Sequence, residues 1–92
     1  MKYFNDISII IITYKSDQII YKFVKKIPKK IKVIVVENSK NHALKINLEK
    51  KFKNVKVYLR NNEGVSSSLN YGVKQTKTKY FLHLSPDLQV NY

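Results

Sequence analysis

The chain has 92 residues, a formal charge of +12 from 18 Lys and Arg against six Asp and Glu, 43% hydrophobic residues and no cysteine. That length allows one domain with a modest core; the composition is that of a folded chain, and disulfide staples and thiolate metal sites are excluded. The charge favours anionic partners, namely nucleotides, nucleic acid or an acidic membrane surface, although a lysine bias in a chain also crowded with Ile, Asn, Tyr and Phe is what an A/T-rich coding sequence produces without any function.

The first apolar run, "ISIIIITY" from Ile7 to Tyr14, is too short to span a membrane and lacks the small-residue cleavage site of a signal peptide. It points to a cytoplasmic protein. Continuous and β-branched, it predicts a strand buried on both faces of a parallel sheet. Ser16 or Asp17 then caps a helix in which Ile19, Ile20, Phe23, Val24 and Ile27 recur at helical spacing until Pro28 ends it. Around that end, "KFVKKIPKKIK" concentrates six lysines. They form either a solvated face or a patch drawn to the anionic inner face of a membrane, at roughly 1 kcal/mol per basic residue.

"KVIVVENS" predicts a second buried strand, Lys32 to Glu37, and Leu44, Leu48 and Phe52 fall four apart on a second helix. "NVKVYLR" is a shorter third strand. Val65, Leu69 and Val73 define a third helix, and "KYFLHL" from Lys79 to Leu84 a fourth strand. Alternating βα units with short connections predict one α/β domain over residues 1–92, a Rossmann-like three-layer α/β/α arrangement with a mostly parallel sheet of about four strands. His83, mid-strand, reads as a buried or edge histidine and not as a ligand.

Right-handed crossovers put every strand's C-terminal end on one edge, and ligands of such sheets bind beyond it. The residues that follow the strands are polar: Thr13, Tyr14 and Lys15; Glu37, Asn38 and Ser39; Arg60, Asn61, Asn62, Glu63 and Gly64; Ser85, Pro86 and Asp87. Two of the six acids, Glu37 and Asp87, thus end strands expected to be buried, where a carboxylate needs water, a hydrogen-bond donor or a cation. The first strand-to-helix turn, "TYKSDQ", holds no glycine, which removes both the dinucleotide fingerprint and the P-loop. A phosphate at this edge is then neutralised in another way, for which Mg²⁺ or Mn²⁺ on one or two carboxylates is usual, with Asp87 the candidate ligand. Plainer roles compete: Glu37 as a cap of the second helix, Tyr14 as a strand-end packing residue, Asp87 as a turn residue, and Gly72 as a site of close helix-to-sheet packing.

"SIIIITYKS", "KVIVVENSK", "NNEGVSSSLNYGV" and "KYFLHLSPD" stand in the order and spacing of the N-terminal half of family-2 glycosyltransferases of the GT-A fold, and the chain resembles their rhamnosyltransferase-like branch from Ile7 to Val90. The resemblance implies binding of a nucleotide-sugar donor, a UDP- or TDP-sugar. Thr13 and Tyr14 match the turn beside the nucleobase; Glu37 matches the acid, commonly Asp, that accepts a hydrogen bond from the base. Asn62 and Gly64 match one N-x-G segment of the nucleotide pocket, and Asn70 with Gly72 a second. "SPD" stands where the family has D-x-D or N-P-D, so Asp87 keeps the metal-binding position for a weakly held Mg or Mn, while Ser85 has lost the first carboxylate. The implied reaction is inverting transfer to a saccharide or lipid-linked acceptor in cell-envelope polysaccharide synthesis. In the family the general base and the acceptor-binding half lie beyond D-x-D, so this chain is expected to be the N-terminal part of a longer glycosyltransferase domain and inactive alone. The alternative is a non-enzymatic basic α/β module that binds nucleotide or nucleic acid. Against specific nucleic-acid recognition, no aromatic stacking strip is present, and "TYKS" lacks the paired acids of a receiver domain. The oligomeric state is left open.

Overall fold

The computed structural model describes residues 6–15, 17–61 and 64–84. In chain order the elements are β1 (Ile7–Thr13), α1 (Asp17–Lys25), β2 (Lys32–Glu37), α2 (His42–Lys51), β3 (Val55–Leu59), α3 (Val65–Gln75) and β4 (Tyr80–Leu84). The strands form one sheet in the order β3-β2-β1-β4, and every pairing is parallel. This is the Rossmann-like α/β arrangement expected, with β1 and β2 central, as their unbroken apolar runs require.

The register places Ile9 beside Val33 and Leu82, and Val33 beside Val55. Because side chains alternate across a strand, this row belongs to one face. There Ile9, Ile11, Val33, Val35, Val55 and Val57 pack with Ile20 and Val24 of α1 and Leu44 and Leu48 of α2. The opposite face carries Ile10, Ile34 and Val36, all buried. It is covered by α3 at close range, since a Cβ on Gly72 would stand 2.8 Å from Ile10 Cγ2 and 3.3 Å from Val36 Cγ2. Each fully buried Ile or Val contributes about 1.5–3 kcal/mol relative to exposure.

Several expected details shift. α1 ends at Lys25, before Ile27, and its tail tightens into i to i+3 bonds, Lys26 N–H to Phe23 O and Ile27 N–H to Val24 O. Ile19 is exposed, because Ile20 and Val24, four apart, take the buried stripe. Phe52 is the C-cap of α2, where its N–H donates to Leu48 O. On α3 the residues closest to the sheet are Ser68 and Gly72, four apart and buried, with Leu69 and Val73 only partly covered. The fourth strand is an edge strand and not a buried one: Tyr80, Phe81 and Leu82 remain 58%, 46% and 50% exposed. Phe81 pairs with Ser8 and Leu82 with Ile9, so the exposed residues alternate between the two faces of this edge.

The other edge is closed by side chains. Glu49 Oε2 of α2 accepts from Val57 N–H at 2.7 Å, Lys45 Nζ donates to Val57 O at 2.7 Å, and the two side chains meet at 2.9 Å. These contacts occupy outward-facing backbone groups of β3 that would otherwise invite another strand.

Candidate functional site at the carboxyl edge

Parallel pairing brings the ends of β1 and β2 together, Thr13 beside Glu37. Glu37 is fully buried, and its carboxylate accepts four hydrogen bonds: from Thr13 Oγ1 at 3.2 Å and Ser39 Oγ at 2.7 Å on Oε1, and from Ser39 N–H and Asn41 N–H at 2.9 Å each on Oε2. Four donors match the roughly four lone-pair sites of a carboxylate. The burial of this charge is thereby compensated locally, without a cation. Glu37 is not the cap of α2. That role belongs to Asn41, whose Oδ1 accepts from Leu44 N–H at 3.0 Å.

The network extends outward from the carboxylate. Asn38 N–H donates to Thr13 O, Lys15 N–H to Ser39 Oγ at 3.2 Å, and Ser68 Oγ of α3 to Asn38 Oδ1 at 2.9 Å. Three connections, β1–α1, β2–α2 and the entry to α3, are thus tied to one another. Two of them hold a non-glycine residue in the left-handed region, Lys15 with φ 54° and Lys40 with φ 53°. Such residues cost of order 1–3 kcal/mol and persist where the surroundings over-determine them. Gly64, the N-cap of α3, has φ 91° and ψ 162°. That region is essentially restricted to glycine.

Among the expected site residues, Thr13 and Glu37 touch, and Gly64 joins them through Ser68, whose N–H donates to Gly64 O. Tyr14 sits at the mouth, 48% exposed, with the Lys15 ammonium 5.3 Å from its ring centroid. Asn70 lies apart: at 1.5 Å per residue the helix carries it roughly 9 Å from Gly64 along its axis. There it lines an open groove of about 470 Å³ with Arg60, Ser67, Tyr71 and Lys74, in which the Arg60 guanidinium lies 4.6 Å from the Tyr71 ring centroid and donates to Ser67 O. Gly72 performs the packing role. Asn62 and Asp87 lie outside the described residues. Among the described residues no group of three or more His, Cys, Asp or Glu side chains gathers, and Glu37 has no acceptor capacity left, so they supply no metal-binding set.

Sequence reasoning passed over Ser68 and Asn41. The signal for Ser68 was present in the spacing of two small residues, Ser68 and Gly72, one helical turn apart. For Asn41 it was the preference for Asn immediately before a helical apolar run.

A parallel α/β sheet with hydroxyl, amide and carboxylate groups converging on its carboxyl edge, and no glycine-rich cradle in its first turn, defines a Rossmann-like domain outside the dinucleotide and P-loop classes. A family model described as glycosyl transferase family 2 matches residues 8–92; the chain belongs to that family. Among solved structures it is similar to S. aureus TarS, crystallised as residues 1–349, with a TM-score of 0.71 and 23% identity over 89% of this chain. The chain spans 27% of the length of that one. At that identity the likeness establishes the shared fold. No curated protein sequence compared with the chain matches it.

Proposed function

We propose that the chain is the nucleotide-diphospho-sugar-binding portion of an inverting glycosyltransferase that acts on a saccharide or lipid-linked acceptor. The observation that carries this reading is the buried Glu37 network, which fixes the turns after β1 and β2 and the start of α3 around one edge in a chain of glycosyltransferase family 2. Preorganised turns lower the ordering cost of binding a flexible nucleotide. In this reading Thr13 and Tyr14 flank the nucleobase of a UDP- or TDP-sugar, and Glu37 sets the shape of that pocket by holding the 38–41 turn. Asn62 and Gly64 form its opposite wall, and Asp87 holds the divalent cation, Mg or Mn, that bridges the diphosphate. Inversion requires a general base within hydrogen-bond reach of the acceptor hydroxyl. The reading assigns that base and the acceptor site to a longer domain of which residues 1–92 are the N-terminal part, in keeping with the 27% of the TarS chain they span and with the half-exposed β4. The basic run after α1 is assigned to contact with the inner face of a membrane.

Titration calorimetry with UDP, TDP and GDP, with and without Mg²⁺, tests the proposal. Expected are a dissociation constant from high micromolar to millimolar, about 4–6 kcal/mol, and tighter binding with the cation. Asp87→Asn is expected to remove the cation dependence while the chain stays folded. Absence of binding for all three nucleotides by a folded sample contradicts the donor-site reading; unchanged Mg²⁺ dependence in Asp87→Asn contradicts the metal assignment alone.

A further inference from the structure

The edge opposite the candidate donor site has a pocket of its own. It is about 280 Å³, near the lower limit of small-molecule sites, and lies where the C-terminal end of α3 passes over the amino ends of β2 and β3. Lys32, Lys53, Lys56 and Lys77 line it over a floor that includes buried Ile34 and part-buried Tyr58, whose ring Tyr71 holds edge-on at 5.8 Å.

Lysines near helix C-termini are ordinary, because they complement the helix dipole, and Lys22, Lys25, Lys50, Lys51 and Lys74 occupy such last-turn positions. None of the four pocket lysines lies in a helix. Lys32 and Lys56 are strand residues, and the register that puts Ser8 beside Lys32 and Ile34 beside Lys56 places both on the face covered by α3. Elsewhere that face carries Ile10, Ile34 and Val36. Among the described residues no carboxylate lines the pocket, and the one ion pair is Lys45 with Glu49. Glu49 feels the charge of Lys56, but it binds Lys45 and the Val57 N–H. Asp6, at the start of β1, is exposed and is not among the lining residues. Four side chains of like charge around one pocket repel, by about 1 kcal/mol per pair were they 4 Å apart in water, and a compact polyanion relieves that repulsion. A phosphate monoester carries about −1.5 to −2 charges, so it offsets more of this positive charge than a singly charged carboxylate does.

We infer that this pocket is a second anion site, separate from the nucleotide site, which takes a phosphate group through Lys32, Lys53, Lys56 and Lys77. The phosphate is that of an anionic lipid headgroup or of a free phosphorylated metabolite. The amino edge bears the basic connections after α1 and α3, with Lys26, Lys29, Lys30 and Lys79, so the pocket opens onto a positive surface.

The test is a residue-resolved NMR titration of the full chain with inorganic pyrophosphate. Saturable shifts are expected at the amides of residues 32–34 and 54–56, and the Lys32→Gln/Lys56→Gln variant is expected to weaken binding roughly tenfold. A control of equal charge in the last turn of α2, Lys50→Gln/Lys51→Gln, is expected to weaken it less than about twofold. No shift at these amides at about 10 mM ligand, or equal weakening by both variants, overturns the site. So does a single-stranded RNA oligonucleotide that shifts the same amides at far lower concentration than pyrophosphate. Co-sedimentation with phosphatidylglycerol and phosphatidylcholine vesicles then names the source: displacement by glycerol phosphate and loss in Lys32→Gln/Lys56→Gln identify a headgroup, and vesicle binding indifferent to that variant identifies a free metabolite. Shifts confined to the carboxyl edge overturn this site while leaving the nucleotide reading intact.

Discussion

Glu37 shows how a single carboxylate organises an edge. Its two oxygens each receive two donors, so Glu37→Gln turns one acceptor into an amide NH₂ that faces N–H or O–H groups. The expected cost is about 1–3 kcal/mol, that of buried donors left unsatisfied, read as a lower denaturant midpoint. Nucleotide affinity should fall with or without Mg²⁺, because the damage lies in the turn and not at the cation. A fully stable Glu37→Gln would contradict the network's role. Gly64 makes a different point. Among the described residues nothing stands within 4 Å of a Cβ built there, yet its φ of 91° is costly for any L side chain. Gly64→Ala is expected to destabilise by about 1–3 kcal/mol, measured by chemical denaturation. These residues differ in how far the sequence disclosed them. Thr13 and Glu37 were visible as polar strand ends and Gly64 as a break before a helix, but that Glu37 is saturated by its own turn depends on backbone N–H directions, which side-chain spacing does not encode.

At the scale of elements, α3 and α2 secure opposite faces by different means. α3 lies close to the sheet because Gly72 has no side chain; Gly72→Ala must push Ile10 or shift the helix, at an expected cost of about 1–3 kcal/mol, read from thermal unfolding. α2 secures the β3 edge through Glu49. Burial alone would raise the Glu49 carboxyl's pKa, but the Val57 N–H, the bond and charge of Lys45, and the charge of Lys56 together hold it below its ordinary value. A carboxyl with a depressed folded-state pKa contributes stability above its unfolded pKa and loses it as pH falls through the folded value. The stability difference between the parent chain and Glu49→Gln is therefore expected to be constant near neutrality, about 1 kcal/mol for a part-exposed charged contact. It should shrink as pH falls below the ordinary Glu value of about 4.3. A difference independent of pH would show that packing, not charge, closes this edge. The strands and helices themselves were legible because each central strand is an unbroken apolar run. β4 was misjudged as buried because "KYFLHL" is as apolar as a central strand, and a run of five residues does not state which neighbours cover it.

Over the whole molecule, charge and chemistry separate. Hydroxyl, amide and carboxylate groups occupy the carboxyl edge beside Lys15, Lys40 and Arg60, and more lysines crowd the amino edge. Binding of nucleic acid to such a surface is expected to be non-specific and to weaken steeply with salt through counterion release; sequence preference that persists at high salt in a filter-binding series would contradict this. The sequence disclosed the net charge but not its segregation, because lysines distant in the chain meet at one edge only through the parallel topology. The central claim, that the carboxyl edge binds a nucleotide diphosphate, is tested most directly by NMR mapping of UDP and TDP with Mg²⁺ on the labelled chain. Saturable shifts are expected at Thr13, Lys15, Asn38, Ser39 and Gly64. Shifts absent from the carboxyl edge, or confined to the lysine-lined pocket, would contradict it.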